Sequence, residues 1–342
     1  MTIGNAELPL MKALVVNNGS TNGGYRSYDE VITGQAQNQF PDVFIAERDS
    51  GSTVVRFAWL CNHSINRQIA QNMLAWLDNE TDSDDYVYFC PVAQGTTQAD
   101  LTGTEPLYTV AALKTDVSVG AQSIVVECPT PAAADVFSRN LTDAFVNGRK
   151  LMIIGKEYPT SVPGTVESNT IDGAPVVAGT EVTIPLLTPL LNSYLVANDC
   201  RVATIYSAGT VIPTADAMTK SSPSGTLNDS VIPPELENDG TIEETWTFTF
   251  NGVTTFTCSG ARTGALPAGS TLSTYAPINP ATGTPYFTIL AGLWTGTWAS
   301  TDHATLVTHD SSKQIAEVRV IPSGAGPMTN NRSTICIACE SV

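Results

Sequence analysis

The stretch from Thr245 to Cys258 constrains the fold of this chain more than any other. Aromatic residues and threonines alternate from Thr245 to Phe250, which is the period-two pattern of a β-strand with one buried face. Asn251-Gly252 follows, a dipeptide typical of tight turns between antiparallel strands. The sequence therefore predicts a β-hairpin with an aromatic inner face and a threonine outer face.

Two registers are compatible with this hairpin. A two-residue loop would pair Phe250 with Val253, which turns Phe256 to the face away from the tryptophan. A three-residue loop, with Gly252 as a left-handed bulge residue, would place Trp246 opposite Phe256. We favour the second register because it gathers the aromatic side chains on one face.

Composition extends the β prediction to the whole chain. Only 14% of the 342 residues are charged, against about a quarter in ordinary soluble domains. Thr, Ser, Asn, Gly and Pro replace the missing charge, and these residues favour strands and turns. A chain of this length has room for several cores. We predict a mainly β protein, with two to three β-sandwich or barrel-like domains in series and little helix.

The balance of charge bears on the partners. Sixteen basic and 33 acidic residues give a net charge of −17, and only Arg149-Lys150 are adjacent basic residues. No basic stripe is available to neutralise phosphates, so we expect no direct binding to nucleic acid.

The N-terminal sequence does not have the pattern of a secretion signal. Its longest apolar run, Met11 to Val16, stops at Asn17-Asn18-Gly19. No stretch approaches the roughly 20 apolar residues that a membrane helix needs. We therefore expect synthesis in a cytosol and no membrane partner.

Turn-forming stretches divide the chain into five expected segments. The Asn- and Gly-rich sequence from Asn17 to Gly24 predicts a mobile or docking arm at the N-terminus, and a Ser-, Pro-, Asn- and Gly-rich stretch predicts a linker. The expected segments are an arm at 1–28, a first β-domain at 29–114, a second β-domain at 115–220, a linker at 221–239 and a C-terminal β-domain at 240–342.

Runs of β-branched and aromatic residues predict the strands. Ile65 to Leu77 is ambiguous, because its apolar residues recur every four positions as on a helix, yet it lies between predicted strands. A short helix is expected at 132–145 and a second tight turn at Asn147-Gly148. Strands are expected at 53–60, 85–90, 107–113, 123–127, 151–155, 182–187, 201–206, 286–289, 293–298, 305–308 and 316–321.

Two histidines are the first candidates for a metal site. Asp302-His303 and His309-Asp310 flank Ala-Thr-Leu-Val-Thr almost symmetrically. On one strand the two imidazoles would share a face but lie about 20 Å apart, at roughly 3.3 Å per residue. They cannot ligate one metal without a third segment, so we interpret them as surface histidines beside turns.

Asp78 to Asp85 carries carboxylates at alternate positions, as a calcium-binding loop would. The EF-hand pattern also needs Gly at the sixth position and Glu at the twelfth, where this chain has Ser83 and Phe89. A solvated acidic turn is the favoured interpretation, and an irregular calcium site is the alternative.

The cysteines are too dispersed for a disulfide scaffold. Most lie among apolar neighbours, which predicts buried free thiols. Cys336-Ile-Ala-Cys339 has redox spacing but no following helix to lower a thiol pKa. Zinc or dithiol chemistry and an inter-subunit disulfide are the alternatives there. The seven are Cys61, Cys90, Cys128, Cys200, Cys258, Cys336 and Cys339.

Catalytic motifs are missing from the sequence. It contains no Gly-x-Ser-x-Gly, no His-Glu-x-x-His, no P-loop and no Gly-x-Gly-x-x-Gly that opens a helix. With three histidines and no acid–base cluster, we expect no enzyme, no catalytic residue, no cofactor and no bound metal.

Several segments share a pattern of turn and packing residues: Ile32-Thr33-Gly34, Phe40-Pro41-Asp42-Val43, Ala46-Glu47-Arg48, Asp84-Asp85-Tyr86-Val87, Gln98-Ala99-Asp100-Leu101-Thr102-Gly103, Thr241-Ile242-Glu243-Glu244-Thr245-Trp246-Thr247-Phe248, Ala281-Thr282-Gly283-Thr284-Pro285-Tyr286-Phe287-Thr288-Ile289, Gly296-Thr297-Trp298-Ala299 and Arg319-Val320-Ile321-Pro322-Ser323-Gly324. Together they resemble a family of tailed-bacteriophage virion structural proteins. The resemblance is weaker over 120–230, and the chain departs from the family around 61–77.

The resemblance implies a non-enzymatic virion component, assembled in the host bacterial cytoplasm as a ring of identical copies. It implies contacts with other virion proteins, such as connector, portal or tail components. A neck or collar position between head and tail is favoured, and a baseplate or tail-surface role and capsid decoration are alternatives. A glycan-binding adhesion module that uses Trp246, Trp294 and Trp298 is an alternative of a different class, although aromatic residues of this kind more often pack in a core.

Overall fold

The computed structural model describes residues 3–32, 35, 38–79, 84–130, 137, 139–157, 162–327 and 332–341. Antiparallel strands dominate these residues, alongside one six-residue α-helix and several short 3-10 helices. The chain is mainly β with β-sandwich-like packing, which confirms the fold class expected from composition.

The strands are β1 Leu10–Val15, β2 Gly23–Glu30, β3 Ser52–Cys61, β4 Ala70–Asn79, β5 Tyr86–Pro91, β6 Val110–Leu113, β7 Ser123–Glu127, β8 Lys150–Glu157, β9 Val162–Thr170, β10 Val176–Ala178, β11 Glu181–Pro185, β12 Arg201–Thr204, β13 Tyr206–Val211, β14 Thr214–Ala215, β15 Thr219–Lys220, β16 Gly225–Leu227, β17 Glu244–Phe250, β18 Thr255–Gly260, β19 Gly264–Ser270, β20 Trp294–Gly296, β21 His303–His309, β22 Ser312–Ile321 and β23 Thr334–Ser341. The α-helix is α1 Ile45–Ser50, and the 3-10 helices are Asn5–Glu7, Ile65–Arg67, Gln98–Asp100, Leu141–Ala144, Val196–Asn198 and Ala291–Leu293.

The described strands form five sheets, all with antiparallel pairing. The central sheet has the order β2-β1-β3-β22-β5, and the seven-stranded sheet has the order β10-β11-β7-β6-β12-β8-β9. The three-stranded sheet is β13-β4-β23. The aromatic sheet is β14-β21-β17-β18-β19, with β15 also paired to β21, and β16 pairs with β20.

The central sheet is buried on both faces. Alternate residues of β3, including Phe57 and Trp59, pack with the seven-stranded sheet in one hydrophobic core. The intervening Ala58 and Leu60 pack with Met73 of β4 in a second core. A strand covered on both sides needs apolar residues at nearly every position, which explains the continuous run in β3.

The N-terminal arm expected at 1–28 is a hairpin in this central sheet. β1 pairs with both β2 and β3, and the Asn- and Gly-rich stretch forms its turn. Gly23 has φ 102°, and a Cβ there would lie 2.7 Å from both the Phe57 ring and the Thr96 carbonyl oxygen. The glycines that suggested mobility therefore permit a close approach of the hairpin to the core.

The C-terminal β-domain expected at 240–342 also differs from the observed pairing. β22 lies between β3 and β5 across the central sheet, and β23 pairs with β4 in the three-stranded sheet. These pairings join residues more than 200 positions apart, which local pattern cannot specify. The aromatic sheet alone keeps to the expected third segment, with the addition of β14 and β15.

The other expected boundaries are crossed by strand pairing too. The seven-stranded sheet begins with β6, inside the expected first domain, and β13 leaves the second domain to pair with β4. The expected linker at 221–239 contains β16, which pairs with β20, and Asn238 in it is buried. Its Pro- and Ser-rich sequence forms packed turns.

The structure resolves the ambiguity of residues 65–77. Ile65–Arg67 is a 3-10 helix, and residues 70–77 belong to β4. Met73, Ala75 and Leu77 alternate into the core with period two, because β4 is paired on both edges. The four-residue spacing is coincidental, since Ile65 is exposed.

Most other predicted strands lie within one to three residues of their observed bounds. Ser123–Glu127 matches in full, whereas the strand expected at 286–289 is reduced to isolated bridges at Thr288 and Ile289. Of the helix expected at 132–145, residues 132–136 and 138 lie outside the described residues, and Leu141–Ala144 is a 3-10 helix.

The hairpin of β17 and β18 exists, but both expected registers are wrong. Phe250 pairs with Phe256, and Trp246 pairs with Gly260. The loop is longer than expected because Asn251 N–H donates to the Thr255 carbonyl oxygen at 3.0 Å. The favoured register had the correct face, since Trp246, Phe250 and Phe256 are all buried on the inner side.

These aromatics form a core of their own. Phe250 stacks on Trp298 with ring centroids 4.2 Å apart, and Trp246 lies against Tyr286 at 5.0 Å. Trp246 is fully buried, and its Nε1 donates to Thr308 Oγ1 at 2.9 Å. Its ring therefore has both packing and hydrogen-bond partners.

We expect Trp246→Ala in the full chain to lower the free energy of unfolding by about 3–5 kcal/mol, because it leaves a large cavity. Chemical denaturation followed by far-UV circular dichroism measures this. Val253→Ala, in the exposed loop of the same hairpin, is the matched control and should change stability by less than about 0.5 kcal/mol. Equal effects of the two substitutions would contradict the placement of Trp246.

Candidate functional site

A buried ion pair lies where the chain passes from the aromatic sheet to the central sheet. β21 runs into β22 through Asp310 and Ser311 alone. The Asp310 carboxylate accepts from Arg26 Nε at 2.6 Å, and the two side chains are 3% and 6% exposed. Burial opposes the charge on Arg26, but Asp310 outweighs that effect and raises the pKa of the guanidinium.

Polar partners continue from this pair into the central sheet. The second Asp310 oxygen accepts from Gln94 Nε2 at 3.1 Å and from the Ser312 hydroxyl at 2.6 Å. Gln94 in turn accepts from Trp59 Nε1 at 2.8 Å. Trp59 is fully buried, so the network reaches the core.

A second set of hydrogen bonds connects the junction to Asn238, in the stretch that precedes β17. The Ser311 hydroxyl contacts the carbonyl oxygens of Asn62, at 2.7 Å, and Asn238. Asn238 Nδ2 donates to the Ser64 hydroxyl at 2.9 Å and to the Gln68 carbonyl oxygen at 2.8 Å. We call Arg26, Asn62, Ser64, Gln94, Asn238, Asp310, Ser311 and Ser312 the polar junction.

The polar junction fixes two β-layers in one orientation. Its members come from five separate parts of the chain, and directional hydrogen bonds hold them where apolar contacts alone would allow sliding. No local pattern predicts the polar junction, because Arg26 and Asp310 are 284 residues apart. The one local signal is the polar triplet Asp310-Ser311-Ser312 between two strands.

Cys61 and His63 lie close to the junction, so a nucleophilic site has to be considered there. Burial raises the pKa of the Cys61 thiol to about 12. Burial, and then the nearby Arg26 charge, lower the pKa of His63 to about 4. A nucleophilic cysteine needs the opposite shift, toward thiolate, so this pair is suited to a neutral core.

The two candidate histidines stand at opposite ends of β21, as expected. His303 contacts Thr249 Oγ1 at 3.1 Å. His309 lies between two carboxylates, with Nδ1 2.8 Å from Glu243 and Nε2 3.3 Å from Asp216. Partial burial opposes protonation, but these carboxylates outweigh it and raise the pKa of His309. The His309 side chain thus links β21 to two neighbouring segments.

The remaining candidates show no shared site. Residues 80–83 of the acidic stretch lie outside the described residues. Cys336 and Cys339 are half-buried, the other five cysteines are buried, and none of the seven forms a disulfide. Among the described residues, no group of three or more His, Cys, Asp or Glu side chains is arranged to hold a metal ion.

The three tryptophans of the glycan-binding alternative lie inside the aromatic core. Trp246, Trp294 and Trp298 are 0%, 7% and 2% exposed. Each also packs against phenylalanine rings or one another. They form the core of the aromatic sheet and are not available to stack on a sugar.

Two loops bonded to one another expose apolar side chains at the surface. Loops 116–121 and 188–198 are bonded together through Val117 and Tyr194, and they expose Val119 and Leu191. Buried Glu167 holds this arrangement by accepting from Leu191 N–H at 2.9 Å and from the Tyr194 hydroxyl at 3.2 Å. Leu191 is 77% exposed on a loop that these hydrogen bonds hold in place.

No helix among the described residues is long and apolar enough to cross a membrane. No family model matches the chain, and no curated protein matches it.

Removing one charge from the junction should be costly. We expect Asp310→Asn to lower the free energy of unfolding by about 3–5 kcal/mol, because it leaves the Arg26 charge buried without a counter-charge. Urea denaturation measures this. Arg67→Met, which removes an exposed ion pair to Glu235, is the matched control and should cost no more than about 1 kcal/mol. In the double variant Asp310→Asn with Arg26→Met, part of the loss should be recovered, and strictly additive losses would contradict the pairing.

A buried carboxyl in β22 makes stability depend on pH. Burial raises the pKa of Glu317 to about 8, although Gln39 Nε2 donates to it at 3.3 Å and opposes the shift. Arg56, its register partner on β3, donates to the Asn17 carbonyl oxygen and to Asn18 Oδ1. The folded-state pKa lies above the ordinary value of 4.5, so this carboxyl's contribution to stability is full below pH 4.5 and falls as the pH rises toward 8.

We therefore expect Glu317→Gln to be increasingly stabilising relative to the wild type between pH 4.5 and about 8. The difference should grow by up to about 1.4 kcal/mol per pH unit. Urea denaturation at a series of pH values measures it. Glu30→Gln, at an exposed position on β2, is the control, and its difference in unfolding free energy from the wild type should change little with pH. A flat difference for Glu317→Gln as well would show that its carboxyl titrates normally.

Proposed function

We propose that this chain is a non-enzymatic structural component of a tailed-phage virion, positioned at the neck or collar between head and tail. The observation that carries the proposal is that segments resembling virion proteins, although distant in sequence, meet in the fold. Arg319 Nε donates to Asp85 at 2.5 Å and Arg319 Nη1 donates to the Pro41 carbonyl oxygen at 3.4 Å. Three of the resembling segments thus meet through Arg319, as inherited residues of a shared fold would.

The architecture supports a passive, load-bearing role. The central sheet is covered on both faces, and its strands come from both ends of the chain. The polar junction then fixes the aromatic sheet against it through the buried pair of Arg26 and Asp310. Such a body keeps its shape under force because the strands that would separate are bonded along their length.

The surface supports assembly through protein contacts. Exposed Leu191 and the exposed pair Phe44-Ile45 are apolar points that a neighbouring subunit can cover. We propose a ring of identical copies that contacts connector, portal or tail components. The net charge of −17 makes direct contact with the packaged nucleic acid unfavourable, so the protein acts through other proteins.

Mass spectrometry of purified virions tests this proposal. We expect peptides of this chain in particles banded on a density gradient, at a copy number similar to that of the portal or connector. A copy number that scales with the major capsid protein would instead favour capsid decoration and contradict the neck position. Absence from particles that contain their other structural proteins would overturn the virion role itself.

A further inference from the structure

β23 is an open edge of the three-stranded sheet within the described part of the chain. It pairs with β4 on one side, and its other side has no strand partner among the described residues. Edge strands expose a row of backbone donors and acceptors and are usually protected by Lys, Pro or bulges. The sequence Thr-Ile-Cys-Ile-Ala-Cys-Glu-Ser contains neither Lys nor Pro.

Several other edge strands among the described residues are protected. β19 contains Pro267, and β10 is only three residues long. β2 carries three charged residues, and its pairing with β1 shifts register twice. β23 extends over eight residues, and its register shifts against β4 arise because β4 has the additional residue at each. β23 itself is therefore regular and can accept another strand.

We propose that a second copy of this chain pairs with this edge, β23 against β23 in antiparallel orientation, about a two-fold axis at Cys336. The two three-stranded sheets then join into one six-stranded sheet. An isologous contact of this kind uses the same residues on both copies and closes on itself.

Charge complementarity favours a second copy of this chain as the partner of β23, and it also favours one register of the pairing. Arg332 and Glu340 are the only charged side chains in residues 332–341, and each lies four residues from Cys336. A two-fold axis at Cys336 places Arg332 opposite Glu340 of the second copy, twice. An axis at Ile337 would place Glu340 opposite Thr334 and leave both charges unmatched.

The apolar side chains match in the same register. Ile335 lies opposite Ile337 of the second copy, on the face that packs on the core with Met73 and Leu77. Thr334 lies opposite Ala338 on the other face. Ile335 and Ile337 are only half-buried in one copy, so pairing removes further apolar surface from water.

This contact does not rest on the proposed virion role, because it follows from the edge strand alone. A solution experiment on the purified chain tests it independently of any particle. If the purified chain does not dimerise, the dimer proposal fails, and the virion proposal is still tested by mass spectrometry of particles.

Sedimentation velocity over a concentration series, with charge-swapped variants, provides the first test. The wild-type chain is expected to dimerise, and Arg332→Glu or Glu340→Arg alone should weaken the dimer about tenfold, since each creates two like-charge pairs. The double swap Arg332→Glu with Glu340→Arg should restore the affinity. Glu30→Arg, on the edge strand β2, is the control and should have no effect. A monomeric wild type, or a double swap as weak as the single variants, would overturn the proposal.

Cysteine crosslinking provides the second test. Opposed residues in antiparallel strands have Cα atoms about 4.5–5.5 Å apart, within the range that a disulfide spans. Burial raises the pKa of Cys336 to about 11, so the reaction is run at mildly alkaline pH with diamide. Two Cys336 thiols lose two protons and two electrons to form the disulfide, and diamide accepts them as it becomes the hydrazine.

A disulfide-linked dimer on non-reducing gels is the expected result. Cys336→Ser should abolish it, and Cys339→Ser, which removes a thiol on the core-facing side, should retain it. Reduction should return the monomer band. A crosslink that persists in Cys336→Ser, or none in the wild type at concentrations where it sediments as a dimer, would overturn the two-fold axis at Cys336.

Discussion

The buried pair of Arg26 and Asp310 is the interaction on which the arrangement of the sheets depends. Each charge alone would be costly at this depth, and the two are tolerated because they face one another at 2.6 Å and have further polar partners. A pair of this kind penalises every other relative placement of β2 and the β21–β22 connection. The pair therefore specifies how the central sheet and the aromatic sheet are oriented, more than it adds to stability.

The central sheet imposes a second constraint. Its strands are covered on both faces, so β3 and β22 are largely apolar at successive positions, and the ionisable exceptions are Arg56, Lys313, Glu317 and Arg319. Two of these have direct partners in the cover of the sheet: Glu317 accepts from Gln39, and Arg319 contacts Asp85 and Pro41. The segment around residues 38–50 is thus positioned by polar contacts over an otherwise apolar sheet.

Sequence patterns predicted the features that depend on neighbouring residues. They did not predict the features that depend on residues far apart in the chain. The alternation from Thr245 to Phe250 specified the buried face, because period two is a local property. The predicted hairpin loop was too short, because the hydrogen bond from Asn251 N–H to the Thr255 carbonyl oxygen closes a longer loop. The domain boundaries followed composition, yet turn-rich composition does not show which strands will pair. No pattern connects Arg26 with Asp310, so the polar junction was beyond prediction from local sequence.

The chemistry of the buried groups supports a role at the surface of the molecule. Catalytic sites shift pKa values toward reactivity near neutral pH, whereas here the Cys61 thiol is moved to about 12 and the His63 imidazole to about 4. Both groups stay neutral at physiological pH and behave as core residues. The buried carboxylate of Glu167 likewise accepts its hydrogen bonds from the loop that exposes Leu191. These interior polar groups hold backbone in place, and we therefore expect contacts with other molecules at the exposed loops and at the open edge strand.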